Sequence, residues 1–176
     1  MNLLKNGKRF AALLFSSFLL MTVLPCLPAS AGEETKAATA NATPDFVLQD
    51  LKGSNVSLGQ FKGQKPVLLY FWATWCHYCQ TVRPAVINFR KATPDADIEI
   101  LAIDVGSGDS LAKLKRFEEA DPAPYTVLYD TDSKVTRSYH VEGIPHFVLM
   151  DKTGAVKYTG NQLPSDPMSL LNSEGK

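Results

Sequence analysis

The apolar residues of this chain fall into short continuous runs separated by polar turns, and this pattern predicts strands. The runs are roughly four to six residues long, which is the usual length of a strand. A run with little polar interruption is typical of a central strand that is covered on both faces. The strand-length runs lie at 66–71, 98–103, 125–129, 147–150 and 156–159. The turn-forming sequence DKTG, at 151–154, joins the last two into a hairpin.

Between these runs, apolar residues recur at helical spacing. After the first run the recurring positions are Val82, Ala85, Val86 and Phe89. Pro84 lies among them and predicts a kink in this helix rather than its end. The segment 111–120 (LAKLKRFEEA) is amphipathic, and a shorter helix is expected at 133–139. Strands that alternate with helices in this way predict an α/β sandwich around a mixed sheet.

Two further patterns complete the predicted fold. At 46–58, the segments FVLQDL and NVSL flank a turn-prone KGS, which predicts a β-hairpin ahead of the main fold. The acidic residues Glu118, Glu119 and Asp121 follow a basic stretch of the same helix, and we expect this mixture of charges to form a solvated face.

The N-terminal residues are typical of an export signal. Lys5, Lys8 and Arg9 precede an apolar run at 10–24, and the small residues at 29–31 form a cleavage site. The predicted organisation is therefore a signal peptide, a small and polar flexible leader, and one folded domain. Their bounds are 1–31, 32–43 and 44–176. The alternative is an uncleaved anchor through the apolar run, although this run is shorter than the roughly 20 residues of a membrane span.

Charge and cysteine content narrow the function classes. Cleavage after Ala31 leaves 15 basic and 18 acidic residues, a net charge of −3, so we expect no nucleic acid and no anionic membrane surface as partners. Cleavage also removes Cys26, and Pro25 before it argues against a lipid-attachment site. Cys76 and Cys79 then remain as the only thiols, and a close pair in an exported protein serves structure, metal binding or redox chemistry.

The pair lies in FWATWCHYC, at 71–79, where a predicted strand leads into a helix. The free N–H groups and dipole of a helix start stabilise a thiolate, so Cys76 is the candidate nucleophile and Cys79 the thiol that resolves the mixed disulfide. His77 and Tyr78 lie between them and are candidates for tuning the redox couple. A protonated His77 would make the couple more oxidising, whereas a neutral one facing solvent would do little; Tyr78 is expected to pack or contact a partner.

The sequence gives less support to other functions of the cysteine pair. A disulfide that closes so short a loop stabilises a fold little through chain entropy. A copper or zinc site could recruit His140 or His146, but the spacing specifies no set of four ligands. Covalent haem attachment is excluded, because Gln80 stands where C-x-x-C-H requires histidine. We therefore predict no metal and no organic cofactor.

A wider pattern resembles a known family. The run VLLYFWATWCHYC, then Pro84, then YHVEGIP at 139–145 ahead of the FVLMDKTGAV hairpin, is similar to the thioredoxin superfamily. The opening hairpin and the extra segment at 110–129 resemble more narrowly the exported TlpA/ResA-like thiol-disulfide oxidoreductases. The resemblance spans about residues 44–160 and implies a thioredoxin-like fold with an N-terminal hairpin and a central βα insertion.

The resemblance also implies roles for matching residues. Cys76 and Cys79 would be catalytic, and Trp75, Ile144 and Pro145 would contact the substrate, with Pro145 as a cis proline facing the disulfide. The implied activity is reduction of protein disulfides, including apocytochrome c thiols before haem attachment, with electrons from a membrane thiol carrier. A disulfide oxidant or isomerase is the alternative, and an exported, periplasmic location is expected.

Three positions depart from the family pattern. Tyr70 stands where thioredoxins have a buried aspartate, and Val82 where ResA-like proteins have a glutamate. Either carboxylate would accept the proton of the resolving thiol. His146 follows the expected cis proline, where threonine is usual; it is either a replacement base or an ordinary satisfied histidine.

A thiol peroxidase is a less favoured enzyme class. Peroxiredoxins share a PDFVLQDLKG-like opening and the lysine-glycine element at 61–63. Their nucleophile normally follows a threonine three residues back and a proline seven residues back. Those positions are Ala73 and Leu69 here, so the peroxide-activating residues are missing.

Overall fold

The structure is a computed structural model that describes residues 43–95 and 97–172. The predicted signal peptide, and all of the predicted leader except residue 43, lie outside the described residues. In the described part of the chain, no helix is both long and apolar enough to cross a membrane.

The strands of the described residues form one mixed sheet in the order β2-β1-β5-β4-β3-β6-β7. Their bounds are β1 Val47–Asp50, β2 Asn55–Ser57, β3 Val67–Trp72, β4 Glu99–Asp104, β5 Thr126–Tyr129, β6 His146–Met150 and β7 Val156–Gly160. The central β3, β4 and β5 run parallel, and the other neighbouring pairs are antiparallel. Each predicted strand is confirmed, with boundaries shifted by at most one residue. The predicted hairpin is β1–β2, and β1 joins the sheet through β5.

Helices connect the strands as the apolar spacing predicts. The bounds are α1 His77–Ala92, α2 Leu111–Ala120, α3 Lys134–Ser138 and α4 Pro167–Asn172. Helix α1 continues through Pro84, so this proline does not end it. Two elements were not predicted from the sequence, helix α4 and a 3₁₀ turn at Leu58–Phe61. Both are shorter than two turns of an α-helix, too short for an apolar period to be visible.

Strand β3 lies at the centre of the core, and all six of its side chains are buried. Its residues alternate between the two faces of the sheet. On the α1 face, Tyr70 stacks on Phe147 and Trp72. On the other face, Phe71 contacts Tyr139. The strand therefore carries a continuous apolar sequence because both of its faces are covered, and it fixes the position of the segment that follows it.

The prediction that Glu118 belongs to a solvated face is wrong. Its carboxylate forms two hydrogen bonds with the guanidinium of Arg83, at 2.9 and 3.0 Å, and the two residues are 8% and 3% exposed. Arg83 lies over the rings of Trp72 and Phe117 and also bonds Asp121. The pair joins α1 to α2, and Arg83 is 35 residues away along the chain, so local charge patterning gave no sign of it.

Candidate active site

The cysteine pair lies where β3 passes into α1. Cys76 is the N-cap of α1, and its sulfur accepts a hydrogen bond from the backbone N–H of Cys79 at 3.1 Å. The two cysteines are joined by a disulfide, with Cα atoms 5.2 Å apart. The predicted position at a helix start is confirmed, and the same backbone N–H group would stabilise a thiolate on Cys76.

The two sulfurs differ in their access to solvent. Cys79 is completely buried, whereas Cys76 is 6% exposed. Beside them, Trp75 is 51% and Tyr78 76% exposed, and His77 is also exposed. A partner can therefore reach Cys76 but not Cys79, and it would meet exposed aromatic and imidazole side chains around that sulfur.

A loop from the other side of β3 lies against the disulfide. The Ile144–Pro145 peptide bond in this loop is cis, which confirms the expectation for Pro145. The carbonyl oxygen of Ile144 lies 3.7 Å from the sulfur of Cys76. The side-chain amide of Asn161 donates to the carbonyl oxygens of Pro145, at 3.0 Å, and Gly143, at 3.3 Å. Sequence reasoning missed Asn161, which lies just beyond β7 and carries no motif.

A third segment, the β4–α2 loop at 105–110, supports the residues before Cys76. The indole N–H of Trp75 donates to the carbonyl oxygen of Ser107 at 2.7 Å. Gly108 lies under the same ring with φ of +76°, and a Cβ atom there would be only 2.8 Å from the indole nitrogen. A side chain at this position would collide with Trp75 as well as strain the backbone.

Asp109 ties this loop to the segment before the cysteines. Its carboxylate accepts hydrogen bonds from the backbone N–H of Thr74, at 2.8 Å, and from the Thr74 hydroxyl. Lys113 forms an ion pair with the same carboxylate at 2.8 Å. On the α1 side, the amide of Gln80 donates to the carbonyl oxygen of Thr74 at 2.6 Å. Thr74 is therefore held from both sides.

Comparison with known proteins identifies the class of this site. Residues 39–159 match the AhpC/TSA family. The chain belongs to the AhpC/TSA family. It is 34% identical over 143 residues to the thiol-disulfide oxidoreductase ResA of Geobacillus kaustophilus, covering 80% of each chain. It is also 34% identical over 126 residues to ResA of Bacillus subtilis, covering 72% of this chain and 68% of that one.

Solved structures agree with this assignment. The thioredoxin domain of a thiol-disulfide oxidoreductase from Bacteroides vulgatus has a TM-score of 0.63 and 30% sequence identity. The match covers 77% of this chain and 94% of that one. This AhpC/TSA family member therefore has a thioredoxin-like fold and is a thiol-disulfide oxidoreductase, as the sequence predicts.

A second carboxyl group in this oxidoreductase, that of Asp104 at the end of β4, neighbours Asp109. It is completely buried, and one of its oxygens accepts the backbone N–H of Gly106 at 2.9 Å. Burial, and then the neighbouring Asp109, raise the pKa of Asp104 to about 8. Burial also opposes the ionisation of Asp109, but hydrogen bonds from Lys113 and Thr74 outweigh it and lower the pKa of Asp109. Neither carboxyl group belongs to a sequence motif that would predict its place beside the cysteine segment.

The two positions at which the family resemblance implies a carboxylate, Tyr70 and Val82, hold no base in this chain. The Tyr70 hydroxyl donates to the backbone carbonyl oxygen of Cys79 at 3.0 Å. Burial raises the pKa of Tyr70 far above its ordinary value, so the phenol remains protonated. Val82 is partly buried and packs against the core. Tyr70 can hold the backbone of Cys79 but cannot accept its proton.

His146 belongs to the face of the sheet opposite α1. Its ring contacts Phe71, whose side chain points away from the α1 face, and its Nε2 lies 3.0 Å from the Thr159 hydroxyl. Burial lowers the pKa of His146. This arrangement favours the hypothesis of a satisfied histidine over that of a base for the cysteines. Within residues 43–95 and 97–172, no three histidine, cysteine or acidic side chains are grouped closely enough to bind a metal ion.

Proposed function

We propose that this oxidoreductase exchanges electrons with protein substrates through Cys76 and Cys79. The observation that carries the proposal is the asymmetry of the pair, since Cys76 is the accessible N-cap of α1 beside the cis-proline loop and Cys79 is completely buried. A thiolate at a helix start is the better nucleophile, and a buried neighbour three residues on is well placed to resolve the mixed disulfide.

The reductive reaction has two steps. The Cys76 thiolate attacks one sulfur of a substrate disulfide; a Cys76–substrate bond forms, and the other substrate sulfur leaves as a thiolate. Cys79, after losing its proton, attacks the Cys76 sulfur, forms the Cys76–Cys79 bond and releases the second substrate thiolate. The enzyme loses two electrons and the substrate gains them, so no cofactor is required. The reverse steps oxidise a substrate dithiol.

Residues around Cys76 would bind the substrate chain. Trp75 offers a half-exposed aromatic surface, and the carbonyl oxygen of Ile144, just before the cis Pro145, lies 3.7 Å from the sulfur. His77 and Tyr78 are exposed on the first turn of α1 and would tune the couple and contact the partner.

Disulfide reduction is the direction we propose, with apocytochrome c thiols as one substrate class and a membrane thiol carrier as the electron source. Similarity to the ResA oxidoreductases over 80% of the chain supports this proposal. The exposed His77 next to Cys76 keeps an oxidant or isomerase as the second candidate. The reduction potential separates them: a value at or below about −250 mV indicates a reductase, and one above about −180 mV an oxidant or isomerase.

The proposed location is extracytoplasmic, with 1–31 as a cleaved signal peptide and 32–43 as a leader before the domain at 44–176. The basic start, apolar run and small-residue site support it. Sequencing the N-terminus of protein recovered outside the cytoplasm should give Gly32 as the first residue. An intact N-terminus in the membrane fraction would instead indicate an anchor through 10–24, and an intact chain in the cytoplasm would overturn export.

Trapping tests the roles of the two cysteines. In Cys79→Ser, the mixed disulfide on Cys76 cannot be resolved, so disulfide-linked complexes with substrate proteins should accumulate. Cys76→Ser is the matched control and should trap none. Trapping through Cys79 in that control, or none in either variant, would overturn the assignment. Non-reducing electrophoresis followed by mass spectrometry of the linked peptides measures the outcome.

A further inference from the structure

Two neighbouring aspartates, Asp104 and Asp109, lie beside the segment that leads into Cys76. Asp104 is completely buried, and so is the side chain of Asp109. Beyond the effect of burial, a hydrogen bond between the two carboxyl groups raises the pKa of Asp104 and lowers that of Asp109. The second oxygen of Asp104, Oδ2, receives no hydrogen bond from the described residues. Two carboxylates in such contact cannot both be ionised at low cost, so one of them holds a proton.

The surrounding groups decide which aspartate holds the proton. Asp109 receives hydrogen bonds from the Thr74 N–H and hydroxyl and an ion pair from Lys113, all of which favour its charge. Among the described residues, Asp104 accepts a hydrogen bond from one backbone group, the Gly106 N–H, and Lys113 acts on it only through its charge. The other titratable group nearby is Tyr129, whose hydroxyl donates to the backbone carbonyl oxygen of Asp109 at 3.2 Å. Asp104 is therefore the protonated partner and Asp109 the ionised one.

We propose that Asp104 and Asp109 form a proton-sharing carboxyl pair that positions the segment from Thr74 to Cys76, so that the redox reactivity of Cys76 depends on the proton held by Asp104. Both aspartates are positioning residues that act through Thr74 and touch no substrate. The effect on Cys76 rests on the proposed function of that sulfur. The existence of the carboxyl pair does not depend on that function.

Loss of the shared proton weakens the hold on Thr74. Ionised Asp104 places a second negative charge against Asp109, and Lys113, which is partly exposed, is the one cation among the described residues that faces the two. Repulsion between the carboxylates disturbs the oxygens that accept from Thr74, and Thr74 is two residues from Cys76. We expect the hydrogen bonds from Thr74 to Asp109 to be intact near pH 7 and weakened above about pH 8, because the pKa of Asp104 is raised to about 8.

The oxidised full chain allows the pair to be observed without the cysteines, because disulfide sulfurs do not titrate. The backbone amide of Thr74 donates directly to Asp109, so its NMR chemical shift should titrate with a midpoint near the raised pKa of Asp104. Asp104→Asn keeps a donor of similar size but carries no titrating proton, and it should abolish this step. Asp97→Asn, at an exposed aspartate, is the matched control and should retain it.

Lys113→Gln provides a second variant at a partly exposed position. Without this cation the Thr74 midpoint should move to higher pH, because ionisation of Asp104 loses a favourable charge. A Thr74 amide that does not titrate in the wild type, or that still titrates in Asp104→Asn, would overturn the pair.

Reactivity is measured as the rate at which a phosphine reduces the Cys76–Cys79 disulfide. The ratio of the wild-type rate to the Asp104→Asn rate cancels the pH dependence of the reagent. This ratio should be constant up to neutral pH and change severalfold through the Thr74 midpoint. A ratio that stays constant while Thr74 titrates would overturn the link to Cys76. Failure of the Cys79→Ser trap alone would overturn the proposed function and leave the pair standing.

Discussion

Tyr70 shows how a single side chain can hold the buried cysteine in place. Its ring stacks on Phe147 within the core, and its hydroxyl donates to the carbonyl oxygen of Cys79 at 3.0 Å. This carbonyl lies in the first turn of α1, next to the carbonyl of Gln80, which loses its usual helical donor because Pro84 has no N–H group. A hydroxyl from the sheet therefore adds a hydrogen bond to the helix beside the carbonyl where its own bonding is interrupted.

Tyr70→Phe should keep the stacking and lose this hydrogen bond. Because the carbonyl of Cys79 is buried, we expect a loss of about 1–2 kcal/mol in the free energy of unfolding of the oxidised protein, measured by denaturant titration. Tyr158→Phe is the matched control, since its hydroxyl bonds the carbonyl of Gln162 at an exposed site. If the two variants lose equal free energies of unfolding, the bond to Cys79 contributes no more to stability than the exposed bond does.

The sequence predicts well those site residues that belong to short motifs. Cys76 and Cys79 follow from their spacing after a strand, and the cis bond at Pro145 followed from a family resemblance. Asp109 and Asn161 escaped prediction because each reaches the site from a separate segment and bonds backbone groups. Contacts of this kind depend on how distant elements are placed, which neither spacing nor composition encodes.

At the scale of elements, the α1–α2 contact depends on the buried pair of Arg83 and Glu118. Such a pair contributes little net stability when complete, because both charges lose their hydration. Removing one partner is costly, since it leaves the other charge buried. The pair thus fixes how α2 lies against the helix that carries the cysteines.

Glu118→Gln tests this contact. We expect a loss of about 2–3 kcal/mol in the free energy of unfolding, less than the largest values for broken buried pairs because Arg83 keeps its bond to Asp121. Asp132→Asn breaks the exposed ion pair with Lys134 and should cause no measurable change. If both variants unfold cooperatively and at the same midpoint of denaturation, the buried pair does not have this role.

The order of the elements was predictable because strands and helices of several turns repeat a pattern long enough to recognise. Helix α2 has the predicted bounds of Leu111–Ala120. Helix α3 has only five residues and lies within the short helix predicted at 133–139. Burial of Glu118 could not be predicted, because a helical period shows which residues share a face but not what covers that face.

For the whole molecule, the buried proton of Asp104 makes stability depend on pH. The folded protein holds this proton with a pKa of about 8, far above the value of 3.8 for a solvated aspartate. A raised pKa in the folded state means that the contribution to stability is complete below the ordinary aspartate range and is lost as pH rises toward about 8. Above that pH the loss is complete.

Asp104→Asn should therefore be more stable than the wild type at neutral pH, by a few kcal/mol. The difference in unfolding free energy should grow from about pH 4 to about pH 8 and then remain constant, as measured by denaturant titration across this range. Asp97→Asn should follow the wild type at every pH. A difference that does not vary with pH would mean that Asp104 is ionised in the folded protein. Replacing a native residue can stabilise a protein when that residue is kept for function rather than for stability, as we propose for Asp104.

The edges of the sheet bear on the behaviour of many copies at high concentration. One edge is β2, which has only three residues, and the other is β7, which carries Lys157. Short edges and edge lysines discourage strands of neighbouring copies from pairing, which is how sheet proteins avoid aggregation. At high concentration the chain can therefore expose the aromatic side chains beside its cysteines without offering the edges of its sheet for pairing with other copies.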